Sequence, residues 1–191
     1  MHKQCHWSMA SYLMGDGSWR LHGYALKIGS IMPDILVHTY WIGHKHDTTA
    51  KRVEANLNNL KDNGTWTLIN CFRLGYNLHF LEDYFTHPHN SNFEGGFVDH
   101  CKYEFRLKKA LKTRFAQEQT ACAPAADCTS ISSVLTEMHS EYMNTTPSPE
   151  NDVNYIVAAA EVVSQELFSA FNAQARTRRS QAFMARAGVA G

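Results

Sequence analysis

The chain is 191 residues long with a mass of 21.6 kDa, the size of one domain. Lys+Arg and Asp+Glu both number 18, so the formal net charge is zero, which argues against a protein that grips nucleic acid by bulk positive charge. At 44% hydrophobic and 12% aromatic the composition excludes a disordered chain.

Alternating β-branched runs bounded by turn residues are missing, whereas helical periodicity recurs. The expected fold is all-α, a compact multi-helix single domain. A first helix spans about His6 to Leu13 and stops at Gly15-Asp16-Gly17. A second runs from Ser18 to Ile28 with Gly29 as its stop, and Pro33-Asp34 follows in a turn or short helical start. His44 to Asp47 connects to a helix over Thr49–Lys61, ended by Asp62-Asn63-Gly64. Thr65 is the expected N-cap of a helix over Trp66–Phe85, and Pro88 turns the chain. Asn90–Gly96 reads as a polar loop, Phe97–Gln119 as a long basic helix, Ala121–Thr129 as a loop and Ser130–Met143 as a helix. Thr145–Glu150, with two prolines, is a linker to a helix from Asn151 to about Arg176. The expected domain is therefore 1–176, followed by a flexible basic C-terminal tail over 177–191.

No apolar run approaches the roughly 20 residues of a membrane span; the best, Tyr155–Val163, is short and holds Glu161. Met1–Met14 carries two His, a Lys and a Gln before any apolar stretch, unlike a secretion leader. The expected location is cytoplasmic, or secreted if a leader was removed ahead of this numbering. The five Cys, at 5, 71, 101, 122 and 128, are odd in number and lack CxxC spacing, so they form neither a disulfide framework nor a zinc finger. Free thiols are expected, with a Cys122–Cys128 bridge as the alternative in an oxidising compartment.

Histidine is the outlier. Ten of the eleven lie in the first hundred residues, and imidazole is both a metal ligand and a proton-transfer group. His79 and Asp83 stand at i and i+4, so they leave one helix face together and can chelate one divalent ion. His100 and Glu104 repeat the spacing on the next helix. Between them lies Thr86-His87-Pro88-His89-Asn90, in which His89 or His87 can reach a second ion. Upstream stand Pro33-Asp34, His38, His44 and His46, and His6 lies on an otherwise apolar helix face, where a polar group needs a partner.

The ordered set His6, Pro33-Asp34, His44-Lys45-His46-Asp47, His79-xxx-Asp83, Pro88-His89-Asn90 and His100-xxx-Glu104 resembles the zinc-dependent phospholipase C family, related in fold to the S1/P1-type single-strand nucleases. The resemblance runs from residue 1 to about 110. It implies an all-α enzyme with a cluster of two to three Zn²⁺ ions in a cleft. Carried onto this sequence, it assigns Asp34, His44, His79 and Asp83 to one zinc, His89, His100 and Glu104 to a second, and His6 to a third bridged by Asp83. His44 is preferred to His46, and His89 to His87. In secreted members the N-terminal amine and carbonyl of a Trp complete the third site; here position 1 is Met, and His2 is a possible substitute ligand. Imidazole with carboxylate suits Zn²⁺, and a multinuclear His/carboxylate set points to catalysis more than to a closed structural site.

The implied activity is hydrolysis of a phospholipid or related phosphodiester by a zinc-activated water, with Asp34 as ligand and general base. An S1/P1-type nuclease and a non-catalytic metal-binding module are the alternatives. His22, His38 and His139 read as surface or satisfied core residues. Tyr40, Trp41 and Phe93 are chiefly packing groups that could line a cleft, and Arg106, Lys108, Lys109, Lys112 and Arg114 read as a solvated face.

Overall fold

A computed structural model describes residues 1–15, 20–36, 46–117 and 130–188. Among these residues it shows seven α-helices, one 3-10 turn and no strand: α1 (Lys3–Met14), α2 (Arg20–Ile35), α3 (His46–Asn63), α4 (Leu68–Tyr84), the turn His87–His89, α5 (Phe97–Ala116), α6 (Ile131–Met143) and α7 (Pro149–Gly188). The all-α expectation holds. No helix among the described residues is long and apolar enough to cross a membrane.

α4 is the axis of the bundle. Its second half, Leu74 to Tyr84, is buried at every position but Tyr76, as befits a helix packed on all sides. α2 and α3 lie against it, α1 against α2, and α5 and α7 pack together across the bundle. The core runs from Met9 and Leu26 through Leu57, Leu74, Leu78 and Leu81 to Leu107, Ile156, Val163 and Phe171.

Local chemistry sets the helix starts. Thr67 accepts from the Asn70 N–H at 3.1 Å and Ser130 from the Ser133 N–H at 3.2 Å, each satisfying an orphan donor of the first turn. The cap of α4 is thus Thr67 and not Thr65, whose carbonyl instead accepts from the Asn70 side chain at 3.0 Å. At α5 the Gly96 N–H donates to Asp99 Oδ2 at 3.3 Å.

Two helices outrun the expected boundaries. α2 continues through Gly29 and Pro33 to Ile35. Gly29 is no stop: a Cβ there would stand 2.1 Å from the Phe72 carbonyl oxygen, and one on Gly75 would stand 2.0 Å from that of Leu26. Both glycines let the backbones of α2 and α4 touch. Pro33 falls in the last turn of α2, where the missing N–H interrupts little that follows. So Asp34 projects from a helix end and not from a turn. α7 runs on to Gly188, well past Arg176.

Candidate metal centre

Five elements bring their polar side chains to one place beside α4. The α4 helix supplies His79 and Asp83, both fully buried, with His79 Nε2 3.5 Å from Asp83 Oδ2. From α2 comes Asp34, 3.7 Å from the same imidazole nitrogen. His6 of α1 stacks on His79 at 3.9 Å between ring centres and sits 3.5 Å from Asp83 Oδ1. The 3-10 turn places His89 Nδ1 3.6 Å from Asp83 Oδ2 and its Nε2 3.5 Å from Glu104 Oε1. On α5, His100 Nε2 lies 2.9 Å from that same oxygen.

Seven of the eight expected ligands (His6, Asp34, His79, Asp83, His89, His100 and Glu104) are therefore brought together. The eighth, His44, lies outside the described residues, as do His38, Tyr40, Trp41, Cys122 and Cys128. Two triads have donor atoms within 4.8 Å of one another: His6 with Asp34 and His79, and His89 with His100 and Glu104. The first differs from the expected partition, because His6 stands with Asp34 and His79. Asp83 lies between the two triads.

The alternatives also find their places. The Met1 amine contacts Asp83 Oδ1, donates to His89 Nε2 at 3.0 Å and stands 3.2 Å from Glu104 Oε1. The Met1 carbonyl lies 3.2 Å from His6 Nε2. His2 turns away and caps α1, its Nδ1 accepting from the Gln4 N–H at 3.1 Å. His87 packs its ring against Phe93 and Tyr103 and gives its backbone N–H to Asp152 at 2.9 Å, so His89 is the one that faces the carboxylates. His46 stacks on His139 at 3.7 Å, and His139 Nε2 lies 3.0 Å from Asn90 Oδ1. Phe93 edges onto His100 at 6.2 Å between ring centres.

Two further residues hold the ligands in position. Glu82, buried in α4, meets His6 Nδ1 at 2.6 Å, and its other oxygen has no hydrogen-bond partner among the described residues. A carboxylate on the far nitrogen of a metal-binding imidazole fixes the ring and raises its basicity. A signal was present in the sequence: a Glu next to Phe80 and Leu81 on a helix expected to be buried has to be partnered. Asp152, buried near the start of α7, accepts from the His87 N–H and from the Tyr103 and Tyr142 hydroxyls, each at 2.9 Å. It ties the 3-10 turn to α5 and α6, and nothing in its local sequence announces this.

The electrostatics are those of carboxylates crowded without bulk water. Burial works against the charge on His6, but Asp83 and Glu82 outweigh it and raise the imidazole to about 9. Burial likewise opposes the Met1 ammonium, which Asp83 and Glu104 hold up to about 10. Burial pushes Glu82 up to about 7, with His6 pulling against it. Glu104, although burial favours its neutral form, is held far below the usual carboxylate range by hydrogen bonds from His100 and His89. Burial lowers His89.

The donor set fits zinc. His79 gives its Nδ1–H to the Ser30 carbonyl at 2.9 Å, which turns Nε2 toward the carboxylates of Asp34 and Asp83 at 3.7 and 3.5 Å. An imidazole lone pair aimed at two anionic oxygens is stable when a proton or a metal cation lies between them. The two triads are imidazole and carboxylate throughout, ligands that suit Zn²⁺ and leave it open to water, unlike closed thiolate sites.

No curated protein and no solved structure matches the chain significantly. The sequence model described as zinc dependent phospholipase C matches residues 1–149, a span that contains every residue of both triads, and the chain belongs to the zinc-dependent phospholipase C family.

Proposed function

We propose that this protein hydrolyses the phosphodiester of a phospholipid between glycerol and phosphate, with two to three zinc ions held by the cluster. His6, Asp34, His79 and Asp83, joined by His44, would hold the metal on the α2 side. His89, His100 and Glu104 would hold it on the α5 side, with Asp83 shared. The Met1 amine and carbonyl, beside Asp83 and His6, would complete a third site with His6. The observation that supports this reading is the orientation of His79, whose Nε2 faces the carboxylates of Asp34 and Asp83 while its Nδ1–H is given to the Ser30 carbonyl.

Zinc, when bound, lowers the pKa of water and offsets phosphodiester charge. The chain's own residues do the rest. Glu82 and the Ser30 carbonyl fix the orientations of His6 and His79. Asp152 holds the turn that carries His89. In this reading Asp34, part-exposed beside the fully buried Asp83, would take a proton from water as the water oxygen bonds to phosphorus, while the bond to the glycerol oxygen breaks and that oxygen takes up a proton from solvent.

The test is turnover by zinc-loaded protein of a short-chain phosphatidylcholine and of single-stranded DNA, each with a chelator control. Chelator-sensitive release of phosphocholine is the expected result. Cleavage of DNA alone would move the activity to the nuclease side, and zinc binding with no turnover would favour a non-catalytic module. Asp83→Asn should lose zinc and turnover together, because one carboxylate serves both triads; full activity in that variant refutes the assignment.

A further inference from the structure

The ligands differ in how they meet solvent. His6, His79 and Asp83 are fully buried, whereas His100 is 31% and Glu104 19% exposed. The centre therefore reaches solvent along the N-terminal half of α5 and at Asp34, 23% exposed at the end of α2. Helix geometry advances about 100° per residue, so Phe97, Cys101 and Phe105 form the stripe next to His100 and Glu104, with Val98 beside it. That stripe faces water. Phe97 is 77% and Phe105 73% exposed, and Val98 and Cys101 are exposed too. The core does not need them: α5 packs through Tyr103, Leu107 and Leu111. On the opposite side of the centre, Ile35 and Leu36 directly follow Asp34 and are exposed as well.

Cations border the stripe. Lys102, Arg106, Lys109 and Lys112 are exposed on α5, Arg106 lying over the Tyr103 ring at 5.5 Å, while Lys108 is engaged with Gln4. Of the nearby acids, Asp99 is committed to the Gly96 N–H, Glu94 stands exposed in the preceding loop, and Glu150 lines a depression with Arg106 and Lys109 on the side of α5 that faces α7. Val98, Asp99, Cys101, Lys102, Phe105 and Arg106 line one shallow depression.

We propose that this face of α5 docks on the surface of an anionic phospholipid bilayer, with Phe97, Val98 and Phe105 entering the headgroup boundary and Lys102 and Arg106 meeting lipid phosphates. Aromatic groups beside long cationic side chains match a layer that is apolar below and negatively charged above. A second copy of the chain fits less well, because a two-fold contact would set this cationic border against itself. The inference rests on the phospholipid reading above, since it presents the opening of the metal centre to lipid headgroups.

The experiment measures binding and needs no turnover, so its failure is distinct from failure of that reading. The full chain is floated through a density gradient with vesicles of phosphatidylcholine and phosphatidylserine. Phe97→Ser/Phe105→Ser is compared with Phe183→Ser, an equally exposed aromatic far along α7. The expected result is flotation of the wild type that weakens with salt, a loss of roughly tenfold or more in the double variant, and no change in Phe183→Ser. Cys101 should also be shielded from a membrane-impermeant maleimide by the vesicles, read by mass spectrometry of its own peptide. Wild-type protein that stays with the soluble fraction, equal binding by the double variant, or equal loss in Phe183→Ser would overturn the proposal. So would self-association of the wild type, without vesicle binding, that the double variant abolishes.

Discussion

His6 lies between oxygens on both of its nitrogens. Glu82 is on Nδ1 and the Met1 carbonyl on Nε2, so without metal the ring holds an extra proton. Its value rises from 6.5 to about 9, and that of the Met1 amine from 8.0 to about 10. A group whose folded value is raised stabilises the fold fully below its unfolded value and ceases to do so as pH climbs through the folded one. Metal-free protein should therefore lose the contribution of these two groups from about pH 6.5 up to about 10. Zinc displaces the same protons, so its apparent affinity should rise over that window. Melting curves of stripped and zinc-loaded protein at several pH values check this: the gap should widen with pH, and a constant gap would mean that the ion and the protons do not compete. The i, i+4 pairs His79/Asp83 and His100/Glu104 were legible in the sequence because helix geometry dictates that such residues meet. That Glu82 needs a partner was legible too, but that it meets His6, and that the Ser30 carbonyl meets His79, was not, because these contacts depend on how α1 and α2 seat against α4.

At the scale of elements, the contact between α2 and α4 sets the ligand geometry, since one helix carries Asp34 and the other His79 and Asp83. The helices approach so closely only because Gly29 and Gly75 have no side chain in the contact. Glycine has two meanings in a helical sequence: a left-handed stop or a place where backbones touch. Periodicity around Gly29 could not separate them, and the tertiary contact decides for the second. Gly75→Ala should destabilise metal-free protein by roughly 3 kcal/mol, the upper end of the usual cost of overpacking, because the new methyl would meet a carbonyl and not the end of a flexible side chain. Zinc affinity should fall with it as Asp34 is pushed from His79. Urea denaturation with and without zinc measures both, and a variant as stable as the parent would show that α2 can shift without penalty. Asp152 works at the same scale, joining α7 to the His87–His89 turn, α5 and α6 through three hydrogen bonds. It lies beyond the 149 residues matched by the family, so α7 completes the support of the centre from outside the matched region.

For the whole molecule, the question is where the folded domain ends. The all-α class was legible from the missing strand pattern, because a bundle this rich in helix leaves its period along the chain. The end near Arg176 was read from a change to Arg, Ala and Gly, yet α7 continues to Gly188, since Ala and Arg are good helix formers and local propensity extends a helix without help from the core. Packing gives a different boundary. Phe171 is fully buried against Trp66, with ring centres 5.5 Å apart. The Trp66 indole N–H donates to Asn172 at 2.8 Å, and Gln174 donates to the carbonyls of Lys61 and Asp62 at 3.2 and 2.9 Å. Residues 176–185 are exposed. Ending the chain after Arg176 should therefore change the unfolding free energy by no more than about 0.5 kcal/mol, as expected for surface alterations, and leave zinc content intact. Ending it before Phe171 removes a core aromatic and the Trp66 and Gln174 tethers, and should cost at least the roughly 3–5 kcal/mol of a buried Phe deletion, a large part of the stability of a domain this size. Thermal unfolding of the two truncations decides the matter. If the chain ending before Phe171 melted with the parent, or the chain ending after Arg176 lost several kcal/mol, the domain would not end between Gln174 and Arg176.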